Sequence, residues 1–286
     1  MSKATPSSGR QTARRLLRNF AFTFGLVLTV LLVGVALAAP LLAPYDANVQ
    51  DTARRLEPPS HQHLLGMDDL GRDVLSRIIY GARVSLRVGF SVVFLASLVG
   101  ITLGAISGYF GGIVDTLVMR LTDILLAFPG ILLAIAMVAV LGPNLNNVII
   151  ALATIGWVGY ARLVRGQVLK VREMEYVTAA RALGARSPRV IMLHVLPNVI
   201  NPVIVMATLG LAGAILSEAA LSFLGLGVQP PTPSWGAMLT SGRRYLGLAN
   251  HLAIFPGAAI MLAVMGLNFL GDGLIDALDP KYRKQM

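Results

Sequence analysis

Apolar residues gather along this chain into stretches of about 20, the length a helix needs to cross roughly 30 Å of hydrocarbon. The first stretch runs from about Phe20 to Ala39 and is stopped by Pro40 and the Leu42-Ala43-Pro44-Tyr45 turn. A second covers roughly Val88 to Phe110, where Gly111-Gly112 reverses the chain, and a third runs from about Leu117 to Leu141 before Gly142-Pro143-Asn144. The fourth extends from about Val148 to Val164, the fifth from about Ile200 to Leu216 with room to continue to Gly227, and the sixth from about Ile254 to Leu270. The pattern predicts an all-α integral membrane protein with six transmembrane helices.

Composition agrees: 55% of the 286 residues are hydrophobic and 13% charged, where a soluble domain carries about 25% charged residues. There is no cysteine, which excludes disulfides, thiolate metal sites and cysteine nucleophiles. The net charge of +10 would suit nucleic acid if it were spread over a surface, but two short segments hold the whole excess. Residues 1–19 carry Lys3, Arg10, Arg14, Arg15 and Arg18 with no acid, and residues 161–190 carry seven bases against Glu173 and Glu175. Short basic segments beside apolar spans mark cytoplasmic loops, so a nucleic-acid partner is the weaker reading.

Orientation follows by parity. Residues 1–19 form a cytoplasmic basic N-terminus and 20–39 the first transmembrane helix. That run is longer than the apolar core of a signal peptide, and Pro40 disfavours cleavage after Ala39, so it reads as a retained anchor. Residues 40–87 form an external loop, and 88–271 a five-helix core containing a cytoplasmic loop at 170–197. Residues 272–286 form a cytoplasmic tail, which makes Asp272 and Asp276 cytoplasmic and structural. Gly100 and Gly104, Gly156 and Gly159, and Gly210 and Gly213 suit close helix packing in lipid, or general membrane-helix composition. Pro129, Pro202 and Pro256 predict kinks or unwound turns. No strong internal repeat of the kind found in many secondary transporters is present.

One basic loop carries its own pattern. Tyr176, Ala179 or Ala180, and Leu183 fall at helical spacing. Gly184 suits a left-handed stop, Ser187 an N-cap and Pro188 the first position of a second helix. A shallow alanine face is too small to anchor in lipid and suits docking in a rigid protein groove.

The stretch Glu175 to Asn198, with Ala179-Ala180, Gly184 and Leu196-Pro197, resembles the coupling loop of bacterial ABC importer permeases. Thr178 stands where that loop has its name-giving glutamate and His194 where an aliphatic residue is usual, as in the peptide and nickel branch. Further blocks resemble the same branch: His63-Leu64-Leu65-Gly66 through Arg77, Gly81 to Leu86, Gly108-Tyr109-Phe110-Gly111-Gly112, Gln229 to Gly236, and Asn268 to Leu274 with Asp276 and Asp279-Pro280. They occur in order over most of residues 40–280, with dipeptide permease subunits of the C type nearest within the family.

The resemblance implies a permease subunit, not itself an enzyme, in a bacterial cytoplasmic membrane with both termini cytoplasmic. Its implied partners are a second homologous permease, two cytoplasmic ATPases, an extracytoplasmic solute-binding protein and a peptide substrate. No Gly-rich loop followed by Gly-Lys-Ser/Thr occurs here, so the chain binds no cofactor itself and ATP and Mg belong to the ATPases. Glu175, Tyr176, Ala179, Ala180, Leu183 and Gly184 are the expected docking surface, with Arg181 and Arg186 as ion-pair partners.

Glu218, embedded in an apolar run, is expected to face the bundle interior or a wet cavity and meet a peptide amine, or to hold a structural partner. Asp123 carries the same two readings. Gln229, Pro230, Pro231 and Trp235 belong to a segment whose prolines cannot continue a helix, placed to cap the pathway or touch the binding protein. Trp235 and Tyr245 also suit an interfacial aromatic belt. His61 and His63, near Asp68 and Asp69, read as solvated loop residues, and no metal is assigned. The alternatives are a nickel importer subunit, a secondary transporter and a purely structural membrane subunit.

Overall fold

The computed structural model describes Leu16 and residues 19–278, with side chains as far as Asp276. The expected basic N-terminus, apart from Leu16 and Asn19, and the part of the expected tail from Asp279-Pro280 onward lie outside the described residues. Helix α1 spans Phe20–Leu37 and opens where the Asn19 side chain accepts from the Phe22 amide at 3.2 Å. Pro40 does not end this helix: α1 is capped at Ala38, and Pro40 sits in the first turn of a short helix α2, Ala39–Leu42. Proline is favoured there because the first-turn amides have no helical acceptor.

Helix α3, Val74–Phe110, is 37 residues long and begins well before the expected start at Val88. Arg77, Arg83 and Arg87 lower the hydropathy of its first turns, but the Asp73 carboxylate accepts from the Ser76 amide at 2.7 Å and starts the helix there. The expected loop 40–87 is therefore irregular only as far as Asp73, apart from α2 and a single turn at Thr52–Arg54.

The expected third span is two helices, α4 (Gly112–Leu126) and α5 (Gly130–Leu141), bent by 86° across a break that holds Pro129. Next come α6 (Leu145–Val171), α7 (Glu175–Ala182) and α8 (Ser187–Val190). A wide π turn, Ile191–Val195, leads into α9 (Leu196–Phe223). Then α10 (Trp235–Gly242) and α11 (His251–Leu278) complete the bundle, with Pro202 and Pro256 inside continuous helices. Among the described residues five helices are long and apolar enough to cross a membrane, or six if the bent α4–α5 pair is one span.

The central seam lies between α3 and α6. A Cβ on Gly100 would fall 2.7 Å from the Trp157 carbonyl oxygen, and one on Gly104 2.5 Å from that of Ala161. These two small residues set the interhelical distance, since lipid supplies no hydrophobic drive to bring helices together. Gly156 and Gly210 also pack closely, against Ala96 and the Tyr160 hydroxyl, whereas Gly213 faces open space.

Candidate functional site

Helix α3 has two ends, and each gathers a set of functional candidates. At the Phe110 end lies α7. Val177 is 0% exposed and packs in one core with Val171, Val190 and Val195, pinning the short helix by its inner face. Arg181 lies over the Tyr109 ring, 4.7 Å from its centre, a cation–π contact. Arg172, at the end of α6, donates to the Gly108 carbonyl at 2.9 Å. The helix is thus tied to α3 on one side and follows α6 across a short turn at residues 172–174 on the other.

Its other face is open. Glu175, Tyr176, Ala179, Leu183, Gly184 and Arg186 are exposed and Ala180 is half-buried, with Leu183 at 89% the most exposed apolar side chain beside it. Gly184 takes φ +82°, the left-handed turn anticipated for it. Arg181, expected as an ion-pair partner, is exposed and lies over Tyr109 within the chain. The second helix starts one residue earlier than expected: Arg186 is the cap, Ser187 is helical and makes no capping bond, and Pro188 is second.

Two ion pairs brace the same region. Asp115 on α4 meets Arg165 on α6, with Nη2 to Oδ2 at 2.6 Å, and Ser107 donates to Asp115 at 2.6 Å. Asp123 pairs with Arg162, and both are about half-exposed. Neither Tyr109, Val177 nor Asp115 stands out in the sequence as a site residue. The signal available was the recurrence of opposite charges at the near ends of adjacent spans.

Glu218 on α9 is 0% exposed. The Ser222 hydroxyl donates to Oε1 at 2.7 Å, and Oε2 has no hydrogen-bond partner among the described residues. Helix α10 covers this region, its Gly236 packed on Ala219 and Ser222. A nearby cavity of about 440 Å³ reaches Tyr160, Met206, Gly210 and Ser217 but not Glu218. Asp123 does not line that cavity either.

At the Val74 end, residues 46–73 fold over the helix start. Asp68 accepts from the Arg72 amide at 2.9 Å and from its Nε at 2.7 Å, while Arg77 reaches the Ala47 carbonyl at 2.8 Å. His63 is buried, its Nδ1 2.9 Å from Asp73, rather than solvated as expected. Burial follows from its partnership with the carboxylate that caps α3. Arg54 hydrogen-bonds Glu57 and holds that carboxyl below the usual carboxylate range. Among the described residues no three His, Cys, Asp or Glu side chains converge as metal ligands would.

The proline segment divides. Gln229, Pro230 and Pro231 are exposed. Trp235 is not: it is 2% exposed, and its indole Nε1 donates to the Ile78 carbonyl at 3.0 Å. Within this chain it is a packing residue on Gly81, where a side chain would meet its ring, rather than an external contact or an aromatic-belt residue. A buried indole needs an acceptor for its N–H, and the backbone at Ile78 supplies one.

Comparison with known proteins gives two family matches. Residues 100–284 match the family described as binding-protein-dependent transport system inner membrane component, and residues 7–59 match the N-terminal TM domain of oligopeptide transport permease C. A dipeptide transport system permease protein of Alkalihalophilus pseudofirmus is 48% identical over 97% of this chain and 91% of its own length. A di/tripeptide transport system permease protein of Pseudomonas aeruginosa is 46% identical over 97% and 94%. A glutathione transport system permease protein of Pectobacterium atrosepticum is 44% identical over 98% and 94%.

Proposed function

The chain belongs to the family of inner-membrane components of binding-protein-dependent transport systems, and from that membership we propose how it imports short peptides. It is an all-α, multi-pass permease subunit of an ABC importer and has no ATPase site of its own. Family membership sets aside the secondary-transporter and purely structural readings. Relatives named for dipeptides, di/tripeptides and glutathione favour a small peptide over nickel as the cargo.

In the proposed arrangement the α4–α5 pair counts as one crossing, giving six, and both termini lie in the cytoplasm. The bases at 161–190 then face inward, in keeping with the positive-inside rule. The domain limits at 19, 39, 87 and 271 are part of this reading, with the end of α3 that precedes Val88 standing outside the hydrocarbon. A second permease completes the pathway, two ATPases lie below and a solute-binding protein delivers substrate above.

The observation that carries the proposal is the two-faced helix Glu175–Ala182. Its inner face is fixed by Val177 and by Arg181 on Tyr109, while Glu175, Tyr176, Leu183 and Arg186 are free to dock. Docked to an ATPase that closes on ATP, the helix would drag the ends of α3 and α6 with it. Because these helices meet along a glycine seam, they would move as one body and change the access of the pathway. Glu218 would meet substrate only in a conformation in which α10 lifts from α9. Gln229, Pro230 and Pro231 would face the binding protein.

Reconstitution with the second permease, ATPases and binding protein tests this. ATP-dependent vesicle uptake of di- or tripeptides is the expected result. Nickel uptake without peptide uptake would overturn the cargo assignment, and ATP-independent peptide uptake would overturn the coupling.

A further inference from the structure

Beside the start of α3 lies an open depression of about 710 Å³, within the range of about 300–1,000 Å³ that holds small ligands. Four segments far apart in sequence form it: Asn48 from the loop before α3, Tyr80, Arg83 and Arg87 from α3, Pro143 and Asn144 from the turn between α5 and α6, and Gln229, Thr232 and Pro233 before α10. Arg83 and Arg87 are one helical turn apart, both exposed, and neither has an ion-pair or hydrogen-bond partner among the described residues. Their neighbours Arg72 and Arg77 are fully engaged, by Asp68 and by the Ala47 carbonyl. Two unpaired guanidiniums side by side repel each other, and an anion shared between them relieves that repulsion.

We propose that this depression receives the carboxylate end of the transported peptide, with Arg83 and Arg87 as its paired cationic contacts. The guanidinium fork matches a carboxylate in two parallel hydrogen bonds, which ammonium groups cannot reproduce. Asn144 Oδ1 caps α6 and Gln229 Nε2 is held by the Gly225 and Gly227 carbonyls, which leaves Asn144 Nδ2 as a donor and Gln229 Oε1 as an acceptor for the peptide backbone, with Tyr80 as an aromatic wall. A concave site with polar side chains from four segments suits a small ligand better than a flat protein contact. The inference rests on the peptide-import reading.

The test uses the assembled importer in vesicles and compares a dipeptide with its C-terminal amide, after the affinity of the binding protein for each has been measured separately. Corrected for that affinity, the unaltered complex should take up the free acid better than the amide. In R83Q/R87Q that preference should fall by about tenfold, the order of one charge-assisted hydrogen bond. R83K/R87K, which keeps both charges, should lose only part of it. Equal loss for both peptides would mean a structural or docking role and overturn the proposal, as would an unchanged preference. A loss that follows the anionic-lipid content of the vesicle rather than the peptide terminus would assign the arginines to lipid phosphates instead. Absence of any peptide uptake by the unaltered complex would overturn the import reading itself, and this site with it.

Discussion

Arg181 lies over the ring of Tyr109, 4.7 Å from its centre, and so joins the short helix α7 to the far end of α3. Cation–π contacts of this kind contribute about 0.5–2 kcal/mol depending on desolvation, enough to decide whether an eight-residue helix follows its neighbours or frays from them. If the contact transmits motion, R181A and Y109A should both lower peptide uptake per ATP hydrolysed while the complex still assembles. Y109F, which keeps the ring, should match the unaltered protein. Uptake and hydrolysis measured on the same vesicles check this, and an unchanged ratio in R181A would remove the contact from the coupling path.

The α3–α6 seam makes a stability prediction. Valine at Gly104 would press on the Ala161 backbone, and overpacking of this kind costs about 1–3 kcal/mol. G104V should therefore melt at lower temperature in detergent than the unaltered chain. G34A, where nothing lies within 4 Å, should leave the melting temperature in place.

Trp235 separates a packing role from a docking role. W235F removes the indole N–H that reaches the Ile78 carbonyl, losing one hydrogen bond worth about 0.5–1.5 kcal/mol and leaving a smaller ring in a buried site. Thermal stability should fall while the affinity for the binding protein is unchanged. A weakened affinity at unchanged stability would restore the tryptophan to the external surface.

Much of the membrane architecture was legible because long apolar runs are hard to mistake, and the short helix α7 because its spacing and its stop at Gly184 are local features. The start of α3 was not legible from hydropathy: three arginines between Val74 and Val88 hide a helix that Asp73 caps. Pro129 signalled a kink, but the 86° bend between α4 and α5 depends on what each helix packs against. Val177 looked like an ordinary apolar residue in a basic loop, although it is the anchor of that loop. Trp235 was misplaced for a related reason, since a tryptophan near a span end fits a lipid interface as well as a buried groove until its acceptor is known.

Glu218 carries a prediction of its own. With Oε1 bonded to Ser222 beneath α10, E218Q keeps a hydrogen-bonding group of the same shape and should preserve assembly. E218L leaves the Ser222 hydroxyl without this acceptor and should lower stability by about 1–3 kcal/mol. If E218Q leaves the melting temperature intact but changes which peptides are taken up, the carboxylate enters the pathway during the cycle. Intact uptake in E218Q would make its role structural.

In the proposed mechanism ATPase closure reaches the membrane helices through Glu175–Ala182 and its flanking Leu183. The chain has no cysteine, so a single cysteine at Leu183 gives an unambiguous cross-link to one placed in the facing groove of an ATPase subunit. This pair should cross-link in the assembled importer, uptake should stop while the bond is intact, and reduction should restore it. Failure to cross-link in an importer that still transports peptide, with ready cross-linking from Val140 to the same groove instead, would contradict it.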